Sequence, residues 1–312
     1  PDLVLEMGPK TPGGVNANKV WLQNKKDEIF VDLKDEKGIE EIHRLLKEEG
    51  YNVIIEQFRP GVMAKLGLSY EDVKKIKEDI IYVSLSGYGQ TGEYKDRAGH
   101  DINYLSLSGL MSYSGRKEGG PVLNGMQIAD IISSYNAMLG ILAAHNNRIA
   151  TGEGKFVDVG ILDGLIPFHA MTGAGVLVDP VDPERESQWL NGGSLYDFYE
   201  TKDGGYMSVG SLEPKFWKTF CEVIGKEDWI KAGCVCDDAQ EKKVELREIF
   251  KTKTRDEWTE IFGDKDCCVE PVLTATEALL KDKNTETRQG VQTINYEGEE
   301  VKVYGNPIKF RD

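Results

Sequence analysis

Ile80-Ile81-Tyr82-Val83-Ser84-Leu85-Ser86-Gly87-Tyr88-Gly89-Gln90-Thr91-Gly92 decides the fold. The run from Ile80 to Leu85 reads as a buried strand, and it passes straight into a glycine-rich loop. Upstream, Val53-Ile54-Ile55 is a second apolar strand, ended by Arg59-Pro60-Gly61. Between the two, Ser69 followed by Asp72 forms a variant capping box that starts a helix. Gly38 to Glu49 has helical spacing, with Ile39, Ile42, Leu45 and Leu46 on one face. Glu28 to Leu33 and Leu3-Val4-Leu5 read as two further strands. Downstream, Asp130 opens a long helical stretch closed near Thr151-Gly152, where Gly152 suits a C-terminal cap. Phe156 to Ile161 is one more strand. Strands alternating with helices through short connections predict an α/β fold, a parallel sheet covered by helices.

From Gly173 the pattern changes. Asp179-Pro180 and Asp182-Pro183 mark a linker, and the expected organisation is a large α/β domain over 1–172, a linker over 173–194 and a smaller α+β domain over 195–285. The smaller part holds a strand pair around Leu195–Tyr199 and Tyr206–Val209. It also holds a helix begun by Thr254 with Glu257 as its capping box.

The 312 residues, 40% hydrophobic and 29% charged, suit a globular protein with a sizeable core. No apolar run approaches a membrane span, and the start lacks the basic lead and long apolar core of a signal peptide. The expectation is a soluble, cytoplasmic protein that engages no membrane. A net charge of −15 argues against nucleic acid, and any polyanionic ligand needs a local basic patch. The five cysteines, Cys221, Cys234, Cys236, Cys267 and Cys268, fit no common zinc spacing and read as reduced thiols, with no metal expected.

Three residues offer chemistry. A carboxylate at Asp130 faces the positive end of a helix dipole, where it can serve as base or nucleophile, although for the residue taken alone an ordinary helix cap is the better explanation. His100 follows the glycine-rich loop at the carboxyl end of a strand, the usual place for ligands in open α/β sheets. Glu213 sits between a strand and a proline that begins a helix. Taken singly, each has an ordinary structural explanation.

Taken together they resemble the family III CoA-transferases, and within them the α-methylacyl-CoA racemase branch. The matching segments are Val31-Asp32-Leu33-Lys34, Phe58-Arg59-Pro60-Gly61-Val62, Lys65-Leu66-Gly67-Leu68, Ser86 to Gly92 and Gly99-His100-Asp101-Ile102-Asn103-Tyr104. Asp130 follows with its helix, then Thr151 to Lys155, Gly192-Gly193, Val209 to Pro214 and Pro271-Val272-Leu273. The resemblance implies a Rossmann-like open sheet in the large domain, a return segment over 286–312, and an interlocked homodimer. It implies that His100 and Asp130 exchange the α-proton of a 2-methylacyl-CoA, that Glu213 pairs with the aspartate, and that no cofactor is needed beyond the coenzyme A of the substrate. Coenzyme A contacts carry over to Val31, Asp32, Leu33, Lys34, Gln57, Phe58, Arg59, Lys65, Gly99, Asp101, Ile102, Asn103 and Tyr104. Backbone amides near Asp130 are the expected donors to the thioester oxygen.

Three departures stand out. The strand and helix that usually precede the segment matching Leu3 to Glu6 are absent, as is an arginine near Met7, and Ile131-Ile132-Ser133-Ser134 replaces a run of glycines. Two alternatives stay open, the first through the last departure and the second through the missing opening. One is a CoA-transferase with Asp130 as nucleophile, and the other is a non-catalytic coenzyme A-binding protein.

Overall fold

A computed structural model describes residues 3–5 and 7–311. The chain forms two compact units, Val31–Glu270 and the two chain ends, Pro1–Phe30 with Pro271–Asp312. The larger unit is built on three parallel strands in the order β1 (Val53–Glu56), β2 (Ile81–Ser86) and β3 (Lys155–Gly160). Val53 pairs with Ile81, and Ser86 with Gly160. All six residues of β2 are buried, as expected of the central strand of a covered parallel sheet.

The pleat sends alternate side chains to opposite faces. Ile81, Val83 and Leu85 share one core with Ala129, Ala137 and Ala144. Tyr82 joins Leu46, Leu68 and Val73 in another. The helices that pack on these faces are α1 (Glu36–Glu48), α2 (Tyr70–Ile76), α3 (Asp101–Leu107) and α4 (Ile128–Thr151), while Leu68 comes from the chain just before α2. Ser69 caps α2 through the Asp72 amide, and Gly152 ends α4, both as the sequence predicts. Asp130 is not the cap of α4. It is the third residue of the helix, and Gln127 holds the cap position without a side-chain bond.

A third core of the larger unit gathers Leu195, Tyr199, Met207, Trp217, Phe220, Phe250 and Trp258, among others. It lies on an antiparallel pair, β4 (Asp197–Glu200) and β5 (Tyr206–Val209), joined by β6 (Val269–Pro271). Three helices, α5 (Pro214–Ile224), α6 (Ala239–Phe250) and α7 (Arg255–Phe262), complete it. Thr254 and Glu257 cap α7 reciprocally. All five cysteines are free, and burial pushes the Cys234 thiol up to about 11.

A buried ion cluster ties β4 to its surroundings. Lys243, 1% exposed, places Nζ 2.7 Å from Asp197 Oδ2 and donates to the Gly192 carbonyl. Arg116 donates to the same carboxylate at 2.8 Å and to Glu186 at 3.0 Å. Burial alone raises Asp197, but Arg116 and Lys243 outweigh it and hold the carboxyl below its usual range. Arg185 donates to the carbonyls of Ser114 and Met111, which pins the middle of the expected linker.

Two expected strands are not strands. Leu3–Leu5 is a single 3-10 turn. Glu28 to Leu33 runs as irregular chain, with Phe30 87% exposed. Apolar sequence makes a strand only where a neighbour completes the ladder, and neither run has one among the described residues. Glu6 lies outside the described residues. The unit of the chain ends holds a helix (Ala17–Gln23) and a hairpin of Val291–Tyr296 with Glu299–Tyr304. There the Trp21 ring meets Tyr304 edge-on at 5.1 Å.

Candidate active site

The site begins at the carboxyl ends of β1 and β2. Gln57, Phe58, Arg59 and Pro60 leave β1, while Ser86 and Gly87 end and follow β2. With Lys95, Arg97 to His100, Asn103 and Tyr104 they line a cavity of about 370 Å³. The resemblance names six of these residues, Gln57, Phe58, Arg59, Gly99, Asn103 and Tyr104, as coenzyme A contacts and His100 as catalytic. Ser86, Lys95 and Arg97 were not anticipated.

Tyr104 sets the shape of this corner. Its hydroxyl donates to the Gly99 carbonyl at 2.8 Å, and its ring meets Tyr88 edge-on at 5.3 Å. A Cβ on Gly87 would lie 2.5 Å from the Tyr104 hydroxyl, and one on Gly99 would lie 2.7 Å from its ring. Both glycines are therefore required for the close approach of the two loops. Burial raises Tyr104, helped by Tyr88 and by the charge of Asp130.

The loop conformation rests on a polar relay across the sheet. Glu56, at the end of β1, accepts from the Phe58 amide at 2.7 Å and from the Ser84 hydroxyl. Gln90 donates to Ser84 through its side chain at 2.6 Å and to Asp158 on β3 through its backbone at 3.1 Å. Leu33, Gln57 and Phe58 also line a neighbouring apolar cavity of about 540 Å³. Asp32 turns back to accept from the Lys34 amide at 2.9 Å, which shapes the entry to α1. Val31 is half-buried, Ile102 is exposed on α3, and the exposed Lys65 ends a short helix; Val31, Asp32, Leu33, Lys34, Lys65, Asp101 and Ile102 do not line the 370 Å³ cavity.

His100 stands at the head of α3, where its backbone amide donates to the Asn103 side chain at 3.0 Å. Asp101, the next residue, reaches the head of α4. Its Oδ2 accepts from the Ala129 amide at 2.7 Å and the Asp130 amide at 3.3 Å. A side chain 28 residues away thus does the capping that Gln127 does not. The expected oxyanion donors are consequently engaged: Ala129 and Asp130 by Asp101, and Ile131 by the Gln127 carbonyl.

Asp130 is partly exposed and its carboxyl is raised. Loss of water around it is the main cause, the Asp101 carboxylate adds to it, and His100 pulls the other way. The Asp101 bonds hold the heads of α3 and α4 together, which brings the His100 and Asp130 segments to one corner. Ser133 and Ser134, where glycines were expected, donate to the Asp130 carbonyl at 2.8 and 2.9 Å. Glu213 is not brought to Asp130 within the chain. It stands at the N-cap position of α5 without a side-chain cap bond, and its charge adds to the burial that raises the Cys268 thiol.

A raised carboxyl near a histidine suits proton transfer, and three cations without an acid on the cavity wall suit a polyanion. Among the described residues, no group of three or more His, Cys, Asp or Glu is arranged to hold a metal ion. No helix is long and apolar enough to cross a membrane.

The chain is similar to known proteins in both sequence and fold. The chain is 36% identical to alpha-methylacyl-CoA racemase of Homo sapiens over 264 residues, 84% of this chain and 69% of that protein. It is 31% identical to succinyl-CoA:glutarate CoA-transferase of Homo sapiens over 217 residues, 70% of this chain and 49% of that protein. The fold matches a CAIB/BAIF family protein from Brucella suis with a TM-score of 0.82 at 24% identity, covering 100% of this chain and 83% of that one. The family model for CoA-transferase family III matches residues 1–312, and the chain belongs to that family.

Proposed function

We propose that this protein is a racemase or epimerase of 2-methylacyl-CoA thioesters that exchanges the α-proton through an enolate. The observation that carries this reading is that Asp101, the residue after His100, accepts from the Ala129 and Asp130 amides, which ties the His100 segment to the helix head that carries the raised Asp130 carboxyl. One group removes the α-proton from one face of the thioester, leaving the electron pair in the enolate. The other delivers a proton to the opposite face, and the roles reverse with the hand of the substrate. A raised Asp130 is a stronger base when ionised and stays protonated to higher pH as an acid. The similarity to racemases over most of the chain supports the same reading. No cofactor enters beyond the coenzyme A of the substrate.

The reading includes a homodimer. The outward side of α4 exposes Tyr135, Met138, Leu139, Leu142 and Ile149, an apolar stripe of the kind that a second copy covers. In such a dimer Glu213 of one subunit is available to pair with Asp130 of the other. This accounts for its separation within the chain.

A CoA-transferase reading draws support from the occupied amides around Asp130, which leave the carboxylate as the group best placed to attack an acyl carbonyl. The deciding experiment incubates one enantiomer of a 2-methylacyl-CoA in heavy water. Deuterium enters the α-position if the racemase reading holds, and His100→Ala and Asp130→Ala each abolish exchange in at least one direction. Coenzyme A passing to an added carboxylate without exchange, with only Asp130→Ala inactive, replaces the racemase with the transferase. Binding of coenzyme A with neither activity leaves a binding protein.

A further inference from the structure

We infer that Ser134 is a specificity-determining residue: it bounds the acyl group beside Asp130 and restricts the substrate to acyl chains that are unbranched at the β-carbon. The substrate class rests on the proton-exchange reading above; the placement of Ser134 beside Asp130 does not.

Asp130 and Ser134 lie one helical turn apart on α4, and both are exposed. Residues at this spacing share one side of a helix, with Cβ atoms about 5–6 Å apart. Helical side chains lean toward the N-terminus, so Ser134 covers the turn that carries Asp130 rather than its own. The bond its hydroxyl donates to the Asp130 carbonyl at 2.9 Å fixes its rotamer. That bond uses the one hydroxyl proton, so an approaching acyl group meets bulk and lone pairs but no donor. Ser133 donates to the same carbonyl at 2.8 Å, yet it is 1% exposed and faces the core. The two serines therefore share a backbone contact and differ in what they face.

The outward neighbours are apolar. Ile131 and Met138 are exposed on the side of α4 where Ser134 stands. A substrate that exchanges a proton with Asp130 brings its α-carbon within about 3 Å of the carboxyl oxygen. The coenzyme A arm leaves toward the cavity lined by His100, which directs the acyl chain along α4. The β-carbon then passes over Ser134. A methylene fits there between apolar side chains, whereas methyl groups added to that carbon collide with the serine Cβ and Oγ.

The test measures deuterium exchange into 2-methylbutanoyl-CoA and 2,3,3-trimethylbutanoyl-CoA by the native protein, Ser134→Gly, Ser134→Ala and Ser133→Ala. The readout is the ratio of kcat/KM for the two substrates, which cancels any loss of folded protein. Ser134→Gly is expected to raise the relative rate of the trimethyl substrate about tenfold or more, the selectivity that one methyl-sized group commands in a fitted site. Ser134→Ala keeps the Cβ and raises it by a smaller factor. Ser133→Ala leaves the ratio unchanged, because it loses the carbonyl bond without opening the outer side.

An unchanged ratio in Ser134→Gly overturns the proposal. An equal shift in Ser133→Ala also overturns it, because the effect then belongs to the shared backbone contact. Native protein that passes coenzyme A to an added carboxylate without exchange removes the racemase reading alone. The same ratio is then read on transfer, where a tenfold rise in Ser134→Gly upholds the role of Ser134 and its absence overturns it. Native protein with neither activity removes both.

Discussion

Replacing Asp101 by Asn and by Ala separates its two effects on the head of α4. The carboxylate accepts from two amides at the start of a 24-residue helix, at 2.7 and 3.3 Å, and its charge raises Asp130. Asparagine retains an acceptor oxygen in the same place and loses only the charge. Alanine loses both. Removing a side-chain cap costs about 0.5–2 kcal/mol, and the part-buried setting of the shorter bond favours the upper half of that range, about 1–2 kcal/mol for Asp101→Ala. Losing the charge at a helix N-terminus costs about 0.3–1 kcal/mol, offset in part by relief of the repulsion with Asp130. Asp101→Asn is therefore expected to be about 1 kcal/mol more stable than Asp101→Ala in urea unfolding at equal slope. The same Asn variant lowers the carboxyl of Asp130, because one of its two upward influences is gone while the loss of water remains. In the deuterium-exchange assay, the acid limb of the pH profile moves to lower pH. Equal stabilities for the two variants, or an unmoved acid limb in Asp101→Asn, refute the reasoning.

Three further outcomes follow from the same structure. Asp130 has a raised carboxyl, so ionising it costs stability as pH rises through its folded value, and the cost is absent below the unfolded value of about 3.9. Asp130→Asn is thus more stable than the native chain at pH 7, and thermal unfolding at descending pH shows the gap closing. Gly99→Ala forces a Cβ to within 2.7 Å of the Tyr104 ring and 2.9 Å of the Tyr88 hydroxyl. A loss of about 1–3 kcal/mol in urea unfolding is expected, with weaker coenzyme A binding by calorimetry. Lys243→Met leaves Asp197 with Arg116 as its remaining cation and strips the Gly192 carbonyl of its donor. Breaking a buried ion pair costs about 3–5 kcal/mol, and the surviving arginine places this variant near about 3 kcal/mol, read by denaturant unfolding.

The order of strands and helices in Val31–Glu270 was legible because buried parallel strands are written as unbroken apolar runs. β2 is the clearest example, since nothing but a covered central strand accommodates Ile80 to Leu85 between a capped helix and a glycine loop. The Thr254/Glu257 cap was legible for a related reason: both partners lie within one turn of helix. The motif order led to the loops that wall the cavity, including Gln57 to Arg59 and Gly99 to Tyr104.

What sequence alone determined, then, was local: which runs are extended, which are helical, where each helix starts to within a few residues, and which loops leave the strand ends. The tertiary structure decided everything that joins distant residues. It assigned Asp101 to cap a helix 28 residues away and engaged the amides expected to serve the oxyanion. It also left Ser86 without a partner while satisfying Ser84, and turned two apolar runs near the start of the chain into a turn and an irregular segment. Periodicity records a residue's relation to its own element. Hydrogen bonds and charge couplings between elements depend on distances through space, which exist only once the sheet has set its register and its loops have closed over it.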